Sequence, residues 1–86
     1  MIDHGTKYLA LRIWSLTQKR KSPSGYYTAV SFEELGRPFQ DCRCMDLRAR
    51  GLLSLSTASD GKPGVLLKPW FVDMAMTEFQ NHLKGL

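Results

Sequence analysis

Residues 47–68 place a helix end, a strand, a turn and a second strand directly one after another. Gly51 follows a run that carries arginines, and glycine is the residue that most often ends a helix in the left-handed conformation. Residues 53–57 alternate leucine or threonine with serine, which is typical of a strand with one buried face. Residues 58–64 contain the turn-forming pairs Asp-Gly and Pro-Gly, and residues 65–68 favour a second strand. The stretch therefore predicts a helix followed by a β-hairpin, and hence an α+β fold.

The length of the chain allows one small domain. We expect a single domain over residues 1–86, because 43% apolar residues suffice for a core of this size. The net charge of +4 and the pI of about 9.3 favour an anionic partner, nucleic acid first, because lysine and arginine release counterions when they bind phosphate. Many domains of this charge bind no acidic partner. The positive charge does argue against a protein that mimics DNA, because such a protein is acidic.

Targeting signals and metal-binding patterns are missing from the sequence. No apolar run reaches the roughly 18 residues that a membrane span requires, and the first residues do not resemble a signal peptide, so we expect a cytoplasmic protein with no membrane partner. Cys42 and Cys44 lie about 200° apart on a predicted helix, which excludes a bridge between them and predicts reduced thiols. His4 and His82 are isolated in the sequence, so we predict no metal site and no cofactor.

Helical periodicity predicts a first helix over residues 6–19 and a last helix that begins at Pro69. The apolar face of the first helix consists of Leu9, Ala10, Ile13, Trp14, Leu16 and Thr17. The last helix has the most regular apolar stripe of the chain, which consists of Val72, Ala75, Met76, Phe79 and Leu83. Aromatic and β-branched residues at 26–30 predict a short strand or extended segment after the first helix.

Two further helices are predicted between that segment and the hairpin. Ser31 and Glu34 have the spacing of a capping box, which predicts a short helix over residues 31–35. Pro38 favours the start of another helix, over residues 38–50. The two apolar sides of this helix consist of Gln40, Cys44 and Leu47 on one and Cys42, Met45 and Ala49 on the other. We expect the first side to face the core, and the second side to be buried as well or to meet a partner.

The order helix, strand, helix, helix, strand, strand, helix resembles that of the winged helix-turn-helix superfamily. The residues that carry the resemblance are Ser31-Phe32-Glu33-Glu34-Leu35 and Leu47-Arg48-Ala49-Arg50-Gly51-Leu52-Leu53. The resemblance covers residues 6–84 and is strongest to compact bacterial, plasmid and phage members, such as regulators of the multiple-antibiotic-resistance type and the DNA-binding domains of replication proteins. It implies an α+β winged helix-turn-helix fold with a three-helix core, a β-hairpin wing and a C-terminal helix.

The resemblance also implies DNA binding, in transcription regulation or in the replication and maintenance of a mobile element. Residues 38–50 would be the recognition helix in the major groove of double-stranded DNA, with residues 31–35 as the supporting helix and residues 58–64 as the wing on the backbone. The DNA-binding residues implied in this way are Arg37, Gln40, Arg43, Arg48, Arg50 and Lys62. Asp41 and Asp46 depart from the pattern, because carboxylates repel phosphates and lie at spacings that allow partial pairing with the arginines.

A homodimer is expected if the chain binds DNA, because one small domain gains limited affinity from a single half-site. The dimer interface is predicted at the start of the last helix, together with the first helix. The interface residues are Trp70, Phe71 and Met74. Such a protein would act by occupying its DNA site, without chemistry.

A protein-interaction module is the alternative, because fold does not determine function. A small phage or plasmid protein that docks on a host complex would fit the same pattern. If Arg43, Arg50 and Gln40 lie on the outward face of the predicted recognition helix, DNA is favoured. If Cys42 and Met45 lie there instead, a protein partner is favoured, since methionine suits adaptable apolar surfaces.

Catalysis is not expected from this sequence. No serine or cysteine has a histidine partner in a shared motif, and Gly61-Lys62-Pro63-Gly64 is too short for a phosphate-binding loop and lies in the predicted hairpin. His82 on the last helix is expected to be a surface or half-buried residue rather than a general base. We therefore expect a protein that is not an enzyme.

Overall fold

Four helices and three antiparallel strands make up the fold. The computed structural model describes all residues from Met1 to Leu86. In chain order the elements are α1 (His4–Arg20), β1 (Val30–Ser31), α2 (Cys42–Ala49), β2 (Leu53–Thr57), β3 (Pro63–Leu67), α3 (Pro69–Val72) and α4 (Met76–Lys84). The strands form one sheet in the order β1-β3-β2. The predicted α+β class is confirmed, and the arrangement is compatible with a winged helix.

Helix α1 has the predicted apolar face. The carboxylate of Asp3 accepts a hydrogen bond of 2.8 Å from the amide of Thr6, which satisfies one free donor of the first turn. Lys19 and Arg20 in the last turn complement the negative end of the helix dipole. The buried residues of the helix are Thr6, Leu9, Ala10, Ile13 and Thr17. Through this face α1 contacts α2, α3, β1 and β3.

The prediction of a helix over residues 31–35 is wrong, because this segment forms a single hydrogen-bonded turn. Half of the capping box is present, since the hydroxyl oxygen of Ser31 accepts a hydrogen bond of 3.0 Å from the amide of Glu34. The carboxylate of Glu34 pairs with Arg20 of α1 instead of turning back to Ser31. Gly36 adopts a left-handed φ of 69°, which closes the segment before a second turn forms.

Helix α2 is shorter than predicted and lacks residues 38–41. The carboxylate of Asp41 accepts hydrogen bonds of 3.1 and 3.2 Å from two amides of the first turn, so Asp41 marks the start of the helix. Gln40, immediately before it, has a left-handed φ of 56°, which is outside the helical region. Arg37 and Gln40 therefore lie in the loop before α2 rather than at the start of the helix.

The predicted end of the helix at Gly51 is confirmed. Gly51 has a φ of 85° and donates a hydrogen bond of 3.0 Å to the carbonyl of Arg48. The amide of Leu52 donates to the carbonyl of Leu47, also at 3.0 Å. These two bonds form a Schellman motif, which satisfies the last carbonyls of the helix and turns the chain back. As a result β2 begins directly after α2 and lies against it.

Strands β2 and β3 form the predicted hairpin, with Leu53 opposite Leu67 and Leu55 opposite Val65. Strand β1 pairs with the other side of β3 and is shorter than the segment predicted at residues 26–30. Leu53, Val65 and Leu67 are buried, whereas Leu55 is 39% exposed. The expectation that β2 buries one whole face is therefore wrong, because β2 is an edge strand and has no neighbouring strand on one side.

The predicted last helix is divided into α3 and α4 by residues 73–75. Ala75 is extended, with a ψ of 159°. The buried members of the predicted stripe are Val72, Phe79 and Leu83. Ala75 and Met76 are exposed, while Met74 is half-buried and packs against the core. Because of this break, Met74 packs against the core, whereas Ala75 and Met76 of the predicted stripe do not.

One apolar cluster of 16 buried residues includes side chains from every helix and every strand. The largest side chains in it with no exposed surface include Ile13, Leu47, Val65 and Phe79. Because α2 and β2 both contribute to this cluster, the core beneath them holds their relative position. None of the four helices is both long and apolar enough to cross a membrane.

Candidate binding surface at helix α2 and strand β2

Four of the five cations predicted to contact DNA form ion pairs within the chain. The pairs are Arg37 with Asp41 at 3.7 Å, Arg43 with Asp3 at 2.8 Å, Arg50 with Asp46 at 3.2 Å and Lys62 with Glu33 at 2.5 Å. Only Arg48 has no acidic partner, and Gln40, which carries no charge, is exposed. The five cations and their four acidic partners together leave one uncompensated positive charge. This is a small charge for a surface that would bind a polyanion.

The pKa shifts agree with this pairing. A hydrogen bond to Glu33 raises the pKa of Lys62. Hydrogen bonds from the backbone and side chain of Thr6, and then the charge of Arg43, lower the pKa of Asp3. Lys62 and Asp3 therefore stay charged at neutral pH. Exposed ion pairs are weak, so a phosphate could displace a carboxylate, but the displaced negative charge would remain next to it.

Helix α2 presents small side chains at the centre of its outward face. Cys44 and Leu47 point to the core and are 0% exposed. By helical spacing Cys42 and Ala49 lie opposite them, and both are exposed. The arginines of the helix lie on the two flanks of this face, and half-buried Met45 lies at its edge. Cys42, rather than an arginine, therefore lies near the centre of the outward face.

An open groove of about 500 Å³ lies between the last turns of α2 and strand β2. It is lined mainly by Met45, Arg48, Ala49, Leu53, Leu55 and Lys68. The two walls are adjacent because the Schellman motif at Gly51 folds β2 back along α2. Met45 and Leu55 line the groove with apolar surface that is partly exposed.

The two cations of the groove differ from the other cations of this region. Arg48 is exposed at the end of α2, and Lys68 is half-buried directly after β3. No carboxylate lies within ion-pair distance of either of them. Positive charge is therefore uncompensated at this groove, whereas it is compensated at Arg37, Arg43 and Lys62.

The two cysteines are free thiols with opposite exposure, as predicted for side chains that point to different sides of one helix. Cys42 is exposed and Cys44 is buried. Burial, and then the negative charge of Asp41, raise the pKa of Cys44 to about 11. Nowhere do three histidine, cysteine, aspartate or glutamate side chains come together as they would to hold a metal ion.

We expect one thiol of the folded chain to react with iodoacetamide at mildly alkaline pH. Cys42 is accessible, whereas Cys44 is both covered and almost entirely protonated, and only a thiolate reacts. Intact-mass spectrometry should show a single adduct on the folded protein and two adducts in urea. The Cys42→Ser variant should show none when folded, and rapid addition of two groups to the folded wild type would contradict the placement of α2.

The three residues predicted at a dimer interface differ in exposure. Trp70 is 59% exposed. Phe71 is 4% exposed, and its ring centroid lies 6.0 Å from that of Phe79 and 4.8 Å from that of His82. Met74 is half-buried against the core. A contact between two copies at this position would therefore depend on Trp70.

Leu55 and Lys68 were not predicted from the sequence to be surface residues of interest. The order of the strands makes β2 an edge, and this order is set by packing rather than by local sequence. The usable signal was that Lys68 is the only cation of the predicted second strand, at its last residue.

Comparison with protein-family models, with curated proteins and with solved structures found no match to this chain. The winged helix-turn-helix resemblance therefore stays a prediction.

Proposed function

We propose that the chain is a protein-interaction module with a winged-helix-like arrangement, and that the groove between α2 and β2 is its binding surface. The observation that carries this proposal is the composition of the groove. Its lining combines apolar side chains with two cations that have no acidic partners, Arg48 and Lys68. This combination suits a partner that is apolar and acidic, and it requires no catalytic group.

The winged-helix part of the proposal is supported by the helix and hairpin that carry the resemblance. In the proposed arrangement helix α2 would correspond to the recognition helix, and the turn between β2 and β3 would correspond to the wing tip. The turn at residues 32–36 would correspond to the supporting helix, and α3 and α4 together to the C-terminal helix. The proposal therefore concerns a winged helix with a shortened helix-turn-helix.

Charge supports a protein partner more strongly than DNA. Interfaces with DNA are strongly positive, but the residues predicted to form one here have an almost equal number of carboxylates beside them. The groove instead offers Met45 and Leu55, and adaptable apolar side chains are typical of the centres of protein interfaces.

Selection from a displayed library of random peptides tests this proposal. We expect binders to be enriched on the wild-type chain and to lose affinity for the Leu55→Asp variant, because a carboxylate would replace an apolar side chain that lines the groove. The matched control is Tyr26→Asp, since Tyr26 is 79% exposed and is not part of the groove. If the enriched peptides bind wild type and Leu55→Asp equally well, the groove is not the binding surface.

DNA binding, in transcription regulation or in the replication of a mobile element, is the second candidate. The observation that favours it is Arg48, which is exposed and unpaired on the helix that would enter the major groove. Lys62 would contact a phosphate only after leaving Glu33, and Trp70 would supply the contact between two copies. The net charge of +4 is compatible with this function.

Fluorescence anisotropy with duplex DNA of random sequence separates the two candidates. If the groove binds protein, we expect at most weak binding that is unaffected by Arg43→Ala and Lys62→Ala, since both cations are already paired. A DNA-binding protein would instead bind tightly at low salt, lose affinity steeply as salt rises, and bind about tenfold more weakly after either substitution. That second result would replace the first proposal.

A further inference from the structure

We propose that the groove takes an extended, acidic segment of a partner protein, which adds to the sheet as a fourth strand beside β2. This inference rests on the proposed function, because it specifies the partner of the same groove. Three observations carry it: the free backbone groups of β2, the absence of charged residues and proline from this edge strand, and the two unpaired cations.

The backbone of β2 has free hydrogen-bonding groups on its outer side. The amide of Lys68 donates to the carbonyl of Leu52 at 2.9 Å, and the amide of Ala58 donates to the carbonyl of Lys62 at 2.8 Å. In an antiparallel ladder alternate residues bond to the same neighbour, so the even-numbered residues of β2 bond to β3. The amides and carbonyls of residues 53, 55 and 57 therefore point away from β3. Leu53 is buried, so an added strand would meet those of the exposed Leu55 and Thr57.

The sequence of β2 lacks the residues that normally prevent strand addition. Strand β2 has five residues, and neither a charged residue nor a proline is among them. Proteins usually protect an edge with such residues or keep the edge strand very short, as with the two residues of β1 at the other edge. An unprotected strand beside an apolar groove is what a partner strand requires.

The side chains around the edge define what the added strand carries. Leu53 and Leu55 lie on the face of the sheet that α2 covers in part, and the strand register places Lys68 on the other face. An added strand that alternates aliphatic and acidic residues would set its aliphatic side chains against Leu55 and Met45. Its carboxylates would then lie within reach of Lys68, and one at the end of the segment would lie near Arg48.

A second copy of this chain fits the edge less well than an acidic segment does. A second copy would bring two more unpaired cations, Arg48 and Lys68, and its β2 strand contains no carboxylate to compensate them. An acidic partner would instead supply the missing countercharges. The charge of the groove therefore selects an acidic partner over self-association.

A peptide of alternating valine and glutamate, labelled with a fluorophore and titrated by anisotropy, is the direct probe. We expect it to bind about tenfold more tightly than the same peptide with lysine in place of glutamate, because the cations of the groove would repel lysine. We also expect loss of binding when alternate amides of the peptide are N-methylated on the edge that would face β2. Without those amides the added strand cannot form its ladder.

Arg48 in α2 and Arg50 directly after the helix offer a matched pair of variants. Arg48→Gln should weaken binding of the acidic peptide several-fold, whereas Arg50→Gln should leave it unchanged, since Arg50 is paired with Asp46 and does not line the groove. Hydrogen exchange should slow at the amides of Leu55 and Thr57 when the peptide is bound. A merely electrostatic contact would not slow that exchange.

The outcomes distinguish this inference from the proposed function. If library peptides bind at the groove but are not acidic, or bind equally well when N-methylated, the strand-addition inference is overturned and the protein-interaction function stands. If no peptide depends on Leu55, both are overturned. Dimerisation in the ultracentrifuge that Leu55→Asp abolishes would show that a second copy occupies the edge, and it would likewise overturn the inference.

Discussion

Replacing Phe79 with alanine is expected to lower the free energy of unfolding by about 3–5 kcal/mol. Phe79 is 0% exposed, and its ring centroid lies 6.3 Å from that of Trp14 in α1 and 6.0 Å from that of Phe71 in α3. Its removal would leave a cavity where three helices meet. Because domains of this size are marginally stable, we expect a large loss of folded protein, measured as the midpoint of urea unfolding.

The control for this substitution lies on the same helix. Met76 is 44% exposed, so Met76→Ala removes a side chain of helix α4 without opening a cavity. We expect it to change the free energy of unfolding by about 0.5 kcal/mol at most. If Phe79→Ala and Met76→Ala were equally destabilising, the described packing of α4 on α1 would be incorrect.

Replacing Gly64 with alanine is expected to detach β1 from the sheet. A Cβ at Gly64 would overlap the carbonyl oxygen of Val30 and would lie 2.8 Å from the Cα of Ser31. Since both atoms belong to the backbone of β1, neither can move away as the end of a side chain could. We expect a loss of about 1–3 kcal/mol or more in the free energy of unfolding, measured by denaturant titration.

Gly85→Ala is the matched control for that substitution. A Cβ there would lie 3.5 Å from the carbonyl oxygen of His82, which is ordinary contact, and Gly85 has a φ of −83° that any residue adopts. We expect little change in stability. Faster hydrogen exchange at the amide of Phe32, which donates to Pro63, should accompany Gly64→Ala alone. A Gly64→Ala variant as stable as wild type would exclude the β1–β3 pairing described above.

The elements that the sequence predicts correctly are those set by neighbouring residues. The end of α2 follows from Gly51, and the apolar face of α1 follows from helical spacing. The predicted start of α2 at Pro38 is wrong, because proline is favoured at the first position of a helix but does not require a helix there. Asp41 marks the start of the helix because its carboxylate accepts hydrogen bonds from two amides of the first turn, whereas the φ of Gln40 lies outside the helical region.

The electrostatics of the candidate site were predictable only in part. Arg50 and Asp46 are four residues apart on one helix, so their pairing follows from spacing. Arg43 and Asp3 are separated by 40 residues, and only the packing of α1 against α2 brings them together. Spacing alone therefore overestimated the positive charge that a DNA backbone would meet.

The groove itself depends on the order of the strands. A hairpin predicts that β2 and β3 pair, but not which of them has β1 on its other side. Because β1 pairs with β3, strand β2 becomes the free edge and Leu55 is left 39% exposed. The surface on which the proposed function depends is thus a consequence of tertiary structure.

Two-dimensional amide NMR of the labelled chain tests the central claim most directly. The spectrum would be recorded with an enriched library peptide and, separately, with duplex DNA of random sequence. We expect the peptide to shift the amides of Ala49, Leu55 and Lys68, and DNA at moderate salt to shift none strongly. Strong shifts at Arg43 and Lys62 with DNA, and none along β2 with the peptide, would contradict the claim that the groove is the binding surface.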